Sequence, residues 1–370
     1  MIKRCKSCIL PENYPGIIFN DAGICQFCTG YRERQYAGGE ALKKVIDTIL
    51  KNNDTRRNKE YDCLLGFSGG RDSSFLLYYF ARILNVKVLA FCIDNGFIPE
   101  QAKQNMKRIA GLLDAKLVIE KHDKYEKCIK HYLTAWMQKP SAAMTGVLCT
   151  GCKYNIVKRM RDYAEANNIP IVILGETPYE VEGHYKRNLM KTNPFAGSSS
   201  SIDGSFIAGY ISQIIKNPRW IMKPYSLMMQ FKEYFFYFRK NIIGTGNFQV
   251  IFPFMTHIRW EEKKVMALLT EKLAWQKHSG LELNWRIDCQ VAILKMVLYK
   301  KTLGFNDLDE GFSCLIRDNQ LSRETALARL QIEGNIDDKA ISAIVEKIGV
   351  DFSKLQGILE KIETPVISNR

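Results

Sequence analysis

The segment that most constrains the fold of this chain is a glycine-containing turn between an apolar run and a helix-forming pattern. Residues 63–67 are mostly apolar, which is typical of a buried strand in a parallel sheet. A helical apolar pattern begins at residue 75, and the turn before it reads Ser68-Gly69-Gly70-Arg71-Asp72-Ser73-Ser74. Glycines let the backbone approach a phosphate closely, and the free N–H groups and dipole of a helix start attract negative charge. The segment therefore predicts an anion-binding turn at the carboxyl end of a strand.

The turn is not a Walker loop, because the Gly-Lys-Ser/Thr ending of that motif is absent. Ser68–Ser73 instead resembles the pyrophosphate loop, or PP-loop, of ATP pyrophosphatases. That resemblance implies that ATP is split into AMP and pyrophosphate while a carbonyl-type oxygen is adenylated. It implies an ATP-binding set of Ser68, Gly69, Gly70, Arg71, Asp72, Ser73 and Ser74. Ser68, Arg71, Asp72 and Ser73 would be catalytic, and Asp72 would also be able to contact Mg²⁺. The alternative is a strand-to-helix turn without a ligand.

Apolar runs alternate with helical patterns beyond this turn. Strands are expected over Val86–Ile93, Lys116–Glu120, Ile169–Leu174 and Val250–Phe254, and helices lie between the first three. This alternation predicts an α/β fold with a doubly wound parallel sheet. The resemblance implies a PP-loop core similar to the adenine nucleotide alpha hydrolases.

Two acidic residues come directly after predicted strands, where open parallel sheets bind their ligands. Asp94 precedes Asn95-Gly96; it would contact the ribose or adenine of ATP, or simply form the turn. Glu176 is placed in the same crevice as the loop, where it would bind Mg²⁺ or orient a reactant. We therefore include Asp94 among the predicted ATP-binding residues and Glu176 among the predicted catalytic ones.

The N-terminal segment contains two Cys-x-x-Cys pairs, Cys5/Cys8 and Cys25/Cys28. Each pair can bind one ion from a turn, and four thiolates complete a tetrahedral zinc site. Protein ligands would fill all four positions, so the role would be structural. Because so short a segment cannot make its own core, the metal would supply much of its folding free energy.

A third pair, Cys149 and Cys152, opens a predicted helix that runs to Asn167. Such a pair can hold a metal or cluster, perform sulfur or redox chemistry, or lie buried without a chemical role. We predict a second metal site or a substrate site. In PP-loop tRNA thiolation enzymes, a similar pair is joined by a third cysteine just past the next strand. This chain has no cysteine at that point, 253–257, and only Cys289 and Cys314 follow, which weakens a thiolation function.

The net charge of +14 indicates an anionic partner. Ten Lys and Arg residues against two acidic ones lie between 186 and 259, a stretch that includes a predicted insertion at about 190–248. This insertion combines a Gly/Ser-rich loop with basic and aromatic residues, which permit base stacking, protein binding or contact with a membrane surface; a helical pair covering its own core is the alternative. The absence of a signal peptide and of a long apolar span, together with eleven cysteines, predicts a cytoplasmic protein with reduced thiols.

Three parts are expected along the chain: a four-cysteine zinc knuckle over 1–35, a PP-loop core over 36–260 that contains the insertion, and a helical C-terminal region over 261–370. No glutaminase motif is found in any of them. Any ammonia used by the protein must therefore be free or come from another protein.

Several motifs together resemble the N-acetyl sugar amidotransferases. They are the N-terminal cysteine pairs, the PP-loop, the segments 88–97 and 149–152, Phe252-Pro253-Phe254, Asp288-Cys289-Gln290 and 301–305. Members of that family convert a sugar N-acetyl group to an acetamidino group for bacterial surface polysaccharide, including lipopolysaccharide O-antigen, or for nonulosonic acids. The resemblance implies ATP, Mg²⁺ and Zn²⁺ as cofactors and an N-acetylated, nucleotide-linked sugar as substrate. It also implies partners similar to the glutaminase and barrel subunits of imidazole glycerol phosphate synthase, and no nucleic acid. A PP-loop tRNA 2-thiolation enzyme and a non-catalytic adenine-nucleotide-binding subunit are the alternatives.

Overall fold

The computed structural model describes residues 2–54, 60–122, 125–181, 184–192, 203–232, 248–277 and 288–363. Its centre is a sheet of five parallel strands, which lie in the order β3-β2-β1-β4-β5. The strands are β1 (Cys63–Gly66), β2 (Val88–Asp94), β3 (Lys116–Lys121), β4 (Ile171–Ile173) and β5 (Gln249–Ile251). The predicted α/β class and its doubly wound parallel sheet are confirmed.

The strand order creates a crevice beside the central strand. The chain proceeds from β1 outward to β2 and β3, then crosses to the other side of β1 to form β4 and β5. The carboxyl ends of β1 and β4 are therefore adjacent, with Leu64 opposite Val172 and Leu65 opposite Ile173. In open α/β sheets, a reversal of this kind is where ligands bind.

Helices cover the sheet and form the C-terminal region. The longer ones are α1 (Gly39–Asn52), α2 (Arg71–Tyr78), α3 (Glu100–Leu112), α4 (Tyr125–Gln138), α5 (Cys152–Ala166), α6 (Gly204–Lys216), α7 (Pro224–Phe231), α8 (Glu262–Leu273), α9 (Gln290–Leu303), α10 (Asp307–Arg317), α11 (Arg323–Glu333), α12 (Asp338–Lys347) and α13 (Phe352–Lys361). Short helical turns occur at Gln26–Thr29, Ala142–Thr145, Gly146–Cys149, Pro178–Val181, His184–Asn188, Pro218–Ile221 and Pro253–Thr256, and a π-helical turn at Tyr79–Ile83 extends α2.

One predicted strand is shorter than expected. The expected run Val250–Phe254 is a strand only to Ile251, and a helical turn begins at Pro253. Proline lacks the N–H that a strand ladder needs, and its fixed φ suits the first turn of a helix. The apolar residues after Pro253 therefore pack from a helical turn, and Phe254 is fully buried there.

The N-terminal knuckle packs on the helical C-terminal region. Arg4 forms an ion pair of 2.6 Å with the buried Asp309 on α10, and the Ile9 N–H donates to Ser313 Oγ at 3.3 Å. Aromatic contact adds to this interface, since the Tyr14 and Phe305 ring centroids are 5.6 Å apart. The boundaries expected at residues 35 and 260 remain predictions.

The predicted insertion is described in part. Helices α6 and α7 and the turn between them lie within it, whereas its Gly/Ser-rich loop (193–202) and its most aromatic stretch (233–247) lie outside the described residues. In the described part of the chain, no helix has the length and apolar character needed to cross a bilayer.

Candidate active site

A cavity of about 200 Å³ opens at the carboxyl ends of β1 and β4. Its walls come from the turn after β1, from the segment after β4 and from one residue before α9. The lining residues are Gly66, Ser68, Gly70, Arg71, Asp72, Ser73, Leu174, Gly175, Glu176, Glu180 and Asp288. The structure thus brings five of the seven predicted loop residues together with Glu176.

Gly69 shapes the loop from outside the cavity. Its φ of +72° lies in the left-handed region, and a Cβ there would come within 2.3 Å of the carbonyl oxygen of Ala102 on α3. The Trp275 indole N–H donates to the Gly69 carbonyl at 3.0 Å. Only glycine allows this backbone conformation and close packing at once, so the sharp turn depends on this residue.

Ser68 and Ser73 hold the loop in shape and also face the cavity. The Ser68 N–H donates to Ser73 Oγ at 3.2 Å, and the Gly70 N–H donates to Ser68 Oγ at 3.3 Å. The two hydroxyl oxygens are 3.2 Å apart. Hydroxyl hydrogens rotate to suit their partners, so both serines can turn donors toward an anion in the cavity.

Ser74 is placed differently from the other loop residues. Its side chain is completely buried, it is not among the cavity-lining residues, and its hydroxyl has no hydrogen-bond partner among the described residues. Ser74 lies on the inner face of the first turn of α2. The predicted direct contact of this hydroxyl with ATP stays a prediction.

Arg71 is fixed by contacts from the start of α8. Its Nη1 donates to Glu262 Oε1 at 3.0 Å, and its guanidinium lies 5.0 Å from the centre of the Trp260 ring. Burial alone would raise the pKa of Glu262, but hydrogen bonds from Arg329 and the charge of Arg71 lower it below its usual value. Arg71 thus lines the cavity as an oriented cation.

The neighbouring carboxylate, Asp72, is oriented by the same aromatic residue. The Trp260 indole N–H donates to Asp72 Oδ1 at 2.6 Å. Asp72 lines the cavity with Glu176, Glu180 and Asp288. Carboxylate oxygens are the ligands that Mg²⁺ prefers, so this wall is suited to a metal-bound polyphosphate.

Asp94 forms the turn after β2. Its carboxylate accepts from the Gly96 N–H at 2.9 Å and from Lys103 Nζ at 2.7 Å. Burial would raise the pKa of Asp94, but the hydrogen bonds from Lys103 and Gly96 lower it. Asp94 is not one of the residues lining the cavity, so its contact with ATP stays a prediction.

Sequence reasoning missed several residues of this site. Glu180 lies in the helical turn Pro178–Val181, whereas Glu176 precedes that turn, so no helical spacing connects the two in the sequence. Asp288 belongs to the segment Asp288-Cys289-Gln290, which was singled out only because it resembles a segment of the N-acetyl sugar amidotransferases. Glu262 and Trp260 meet the loop from about 190 residues away, and no local pattern marks them.

The four N-terminal cysteines form a compact cluster. Their sulfurs are 4.0 Å apart for Cys5–Cys28, 3.8 Å for Cys8–Cys25 and 3.6 Å for Cys25–Cys28. A tetrahedral zinc ion with Zn–S bonds of about 2.3 Å requires sulfurs about 3.8 Å apart. The cluster therefore fits a structural metal ion of this size, as the sequence predicted, and zinc itself stays a proposal.

Cys149 and Cys152 lie near a cysteine that is remote in sequence. Asn95 Nδ2 donates to Cys152 Sγ at 3.3 Å and approaches Cys289 Sγ at 3.8 Å. Burial, together with the nearby Cys149 and Asp288, raises the pKa of the Cys289 thiol to about 11. The third cysteine, expected near 253–257 and absent there, thus has a spatial counterpart in Cys289.

No protein-family model matches the chain. A segment of 121 residues, 32% of this chain, is 26% identical to an uncharacterized protein of Methanocaldococcus jannaschii. The match covers 43% of that protein. The chain thus spans less than half the length of this curated relative.

Solved structures that resemble the chain include a tRNA thiolase, an NAD synthetase and an NMN synthetase. A U34-tRNA thiolase from Methanococcus maripaludis, with its 4Fe-4S cluster, is 14% identical, covers 100% of this chain and 93% of that one, and has a TM-score of 0.32. An NH3-dependent NAD synthetase from Campylobacter jejuni is 14% identical over 64% of this chain and 93% of that one, with a TM-score of 0.28. An NMN synthetase from Francisella tularensis is 16% identical over 40% of this chain and 59% of that one, and its TM-score is also 0.28. Scores this low establish neither the activity nor the substrate of this chain.

Proposed function

We propose that this protein is an ATP-dependent amidotransferase, a C–N ligase that forms AMP and pyrophosphate. The observation that carries the ATP chemistry is the placement of Ser68, Gly70, Arg71, Asp72 and Ser73 around one cavity at the reversal point of the sheet. A glycine turn, a helix start, an oriented cation and several carboxylates meet there, which suits a Mg²⁺-bound triphosphate.

The acceptor in this proposal is the N-acetyl group of a sugar. An amide carbon is a poor electrophile, and its oxygen is a poor leaving group. When the amide oxygen attacks the α-phosphorus of ATP, pyrophosphate leaves and an imidate carrying AMP is formed. Ammonia then adds to the imidate carbon, AMP departs with the former acetyl oxygen, and loss of a proton leaves the acetamidino group.

The residues supply positioning and charge. Ser68, Ser73 and the Gly70 N–H would bind the departing pyrophosphate, with Arg71 balancing its charge. Asp72 and Glu176 would hold Mg²⁺. Preorganised donors of this kind act where charge develops and need no rearrangement during the reaction.

The choice of acceptor rests on the sequence resemblance. The nucleotide-linked sugar would bind through the basic insertion, ammonia would come from separate glutaminase and barrel proteins, and the reaction would take place in the cytoplasm without nucleic acid. Surface polysaccharide, including lipopolysaccharide O-antigen, or nonulosonic acids would be the eventual products.

The experiment follows the acetyl oxygen. The full chain is incubated with ATP, Mg²⁺, ammonium and a panel of UDP-linked N-acetyl sugars that carry a heavy oxygen isotope in the acetyl group. We expect the label in AMP and a sugar in which NH replaces oxygen. Ser73→Ala should lose this transfer, whereas Ser342→Ala, which removes a surface hydrogen bond to Glu346 on α12, should retain it. Pyrophosphate release that depends on undermodified tRNA and on none of the sugars would contradict the proposal.

One observation favours a second function, tRNA 2-thiolation. It would use the same adenylation on a base carbonyl, with sulfur as the nucleophile. The proximity of Cys289 to Cys152 supplies the third thiol that the sequence lacks at 253–257. The tRNA arm of the same experiment tests this function, and acceptor-dependent turnover in either arm would exclude a non-catalytic nucleotide-binding subunit.

A further inference from the structure

Exposed apolar side chains are concentrated on helices α6 and α7 and on the turn between them. Among the described residues, fourteen large apolar side chains are exposed, and seven of them lie between 207 and 231. Single exposed apolar residues are common on soluble proteins, but a concentration of them indicates an interaction surface. We call this set the outer face of the helix pair; it consists of Ile207, Ile211 and Ile215 on α6, Met222 in the turn, and Leu227, Met228 and Phe231 on α7.

Three isoleucines form a stripe along α6. Ile207, Ile211 and Ile215 follow one another at intervals of four residues, so their side chains lie on one side of the helix. They are 45%, 51% and 75% exposed. The only charged residue of α6 is Lys216, at its last position. Covering this stripe would remove apolar surface from water, which favours binding.

The opposite side of the helix pair is attached to the core. Asn217 Nδ2 donates to the Ala135 carbonyl on α4 at 2.7 Å, and the Tyr132 hydroxyl of the same helix donates to the Ser226 carbonyl at 3.0 Å. Trp220, in the turn, is fully buried. The pair thus already has an inner apolar side that packs on α4, and the outer face is additional to it.

The charges around the outer face are all positive. Residues 204–232 contain Lys216, Arg219, Lys223 and Lys232 but no Asp or Glu, and the first three of these cations are exposed. An apolar helix side with flanking Lys and Arg residues is typical of segments that lie in the interface of a bilayer with anionic lipids. Each cation near such a surface strengthens binding by about fivefold.

Two other occupants fit this surface less well. In a symmetric dimer the same surface meets itself, so the cations would be brought together without a carboxylate of the pair to balance them. Strong protein interfaces are centred on Trp, Tyr and Arg, but Trp220 is buried and Tyr210 and Tyr225 are half-buried. The chemistry of the outer face therefore favours lipid.

We propose that the outer face of α6 and α7 binds the surface of a membrane that contains anionic lipids. The isoleucine stripe inserts between the lipid headgroups, and Lys216, Arg219 and Lys223 contact lipid phosphates. The inference uses no residue of the loop cavity and holds for either acceptor, so it does not rest on the proposed function.

Vesicle sedimentation tests the inference with the full chain. Wild-type protein should sediment with vesicles of phosphatidylcholine and phosphatidylglycerol, and less with phosphatidylcholine alone or at high salt. The double variant Ile211→Ser/Ile215→Ser should bind the mixed vesicles roughly tenfold more weakly or less, because two apolar side chains no longer leave water. Serine and isoleucine have similar helix propensities, so α6 should still form. Ile332→Ser, at a 58% exposed position on α11, is the matched control and should bind as wild type.

The contribution of charge has its own variant. Lys216→Gln/Lys223→Gln should weaken binding to the mixed vesicles by about 25-fold and leave binding to phosphatidylcholine unchanged. Wild-type protein that stays in the supernatant, or an isoleucine double variant that sediments like wild type, would overturn the proposal. Self-association that the isoleucine variant loses, without vesicle binding, would also overturn it and would identify a second copy as the occupant. Since the assay contains no nucleotide, its failure and failure of the amidotransferase assay are distinguishable.

Discussion

Arg71, in the turn after β1, donates a hydrogen bond at 3.0 Å to Glu262, at the start of the C-terminal helices. Arg329 binds the same carboxylate through two nitrogens, at 2.7 and 3.1 Å. The side chains of Arg71, Glu262 and Arg329 are all at least four-fifths buried. The orientation of this arginine therefore depends on residues far from the loop in sequence.

Glu262→Gln should strongly destabilise the protein. Removing this carboxylate leaves two buried guanidinium groups without their shared partner, and breaking a buried ion pair in this way costs about 3–5 kcal/mol. The free energy of unfolding is measured by urea denaturation. Glu261→Gln is the matched control, because its ion pair with Lys264 is at the surface and is worth less than about 1 kcal/mol. Equal effects of the two changes would contradict the role assigned to Glu262.

Gly69→Ala should disrupt the loop. The left-handed backbone alone costs a residue with a Cβ about 1–2 kcal/mol, and the new methyl would also press on the Ala102 carbonyl. We expect loss of pyrophosphate release and a lower free energy of unfolding. Gly111→Ala, where a Cβ meets no atom within 4 Å, should leave activity unchanged and stability unchanged or slightly higher. A fully active Gly69→Ala protein would show that the turn is not needed in this form.

Removing one knuckle thiolate should release the metal. Cys25→Ala leaves three ligands where four sulfurs lie 3.6–4.0 Å apart, so zinc content measured by mass spectrometry should fall by one equivalent. Unfolding should become easier as well, because the knuckle packs on α10. Cys128→Ala should keep its zinc, and full zinc retention by Cys25→Ala would exclude the proposed site.

Stability should depend on pH through Glu310. Burial raises the pKa of this carboxyl from its usual 4.5 to about 7, even though the Tyr14 hydroxyl donates to it. Between these values the native state binds more protons than the unfolded state, so the free energy of unfolding falls as pH rises from about 4.5 to 7. The total effect is on the order of 3 kcal/mol.

Glu310→Gln tests this dependence, because an amide does not titrate. Urea denaturation of both proteins at several pH values should show the variant gaining stability relative to wild type as pH rises from about 4.5 to 7, with the difference constant above that range. A stability difference that does not change with pH would show that Glu310 titrates normally in the folded protein.

Local sequence signals predicted the elements of the fold well. The apolar run before Ser68, the glycines after it and the helical pattern beyond gave β1, the turn and α2 in the right places. One bound shifted where a single residue decided it, because Pro253 ended β5 early.

Long-range contacts could not be predicted in this way. Glu262 reaches Arg71 and Cys289 reaches Asn95 only because α8 and α9 pack against the core, and neither position has a spacing pattern that points to its partner. A local motif also does not show which way each side chain faces. The motif groups Ser74 with the loop residues, but the helix turns its hydroxyl toward the interior.

We expect the loop cavity to bind ATP and to cleave it between the α- and β-phosphates. The most direct measurement is chromatography of the nucleotide products after incubation with Mg²⁺, ammonium and the two acceptor classes. We expect AMP and pyrophosphate in equal amounts with one acceptor class, and no such products from Asp72→Ala. ADP and phosphate as the products, or undiminished AMP formation by Asp72→Ala, would contradict it.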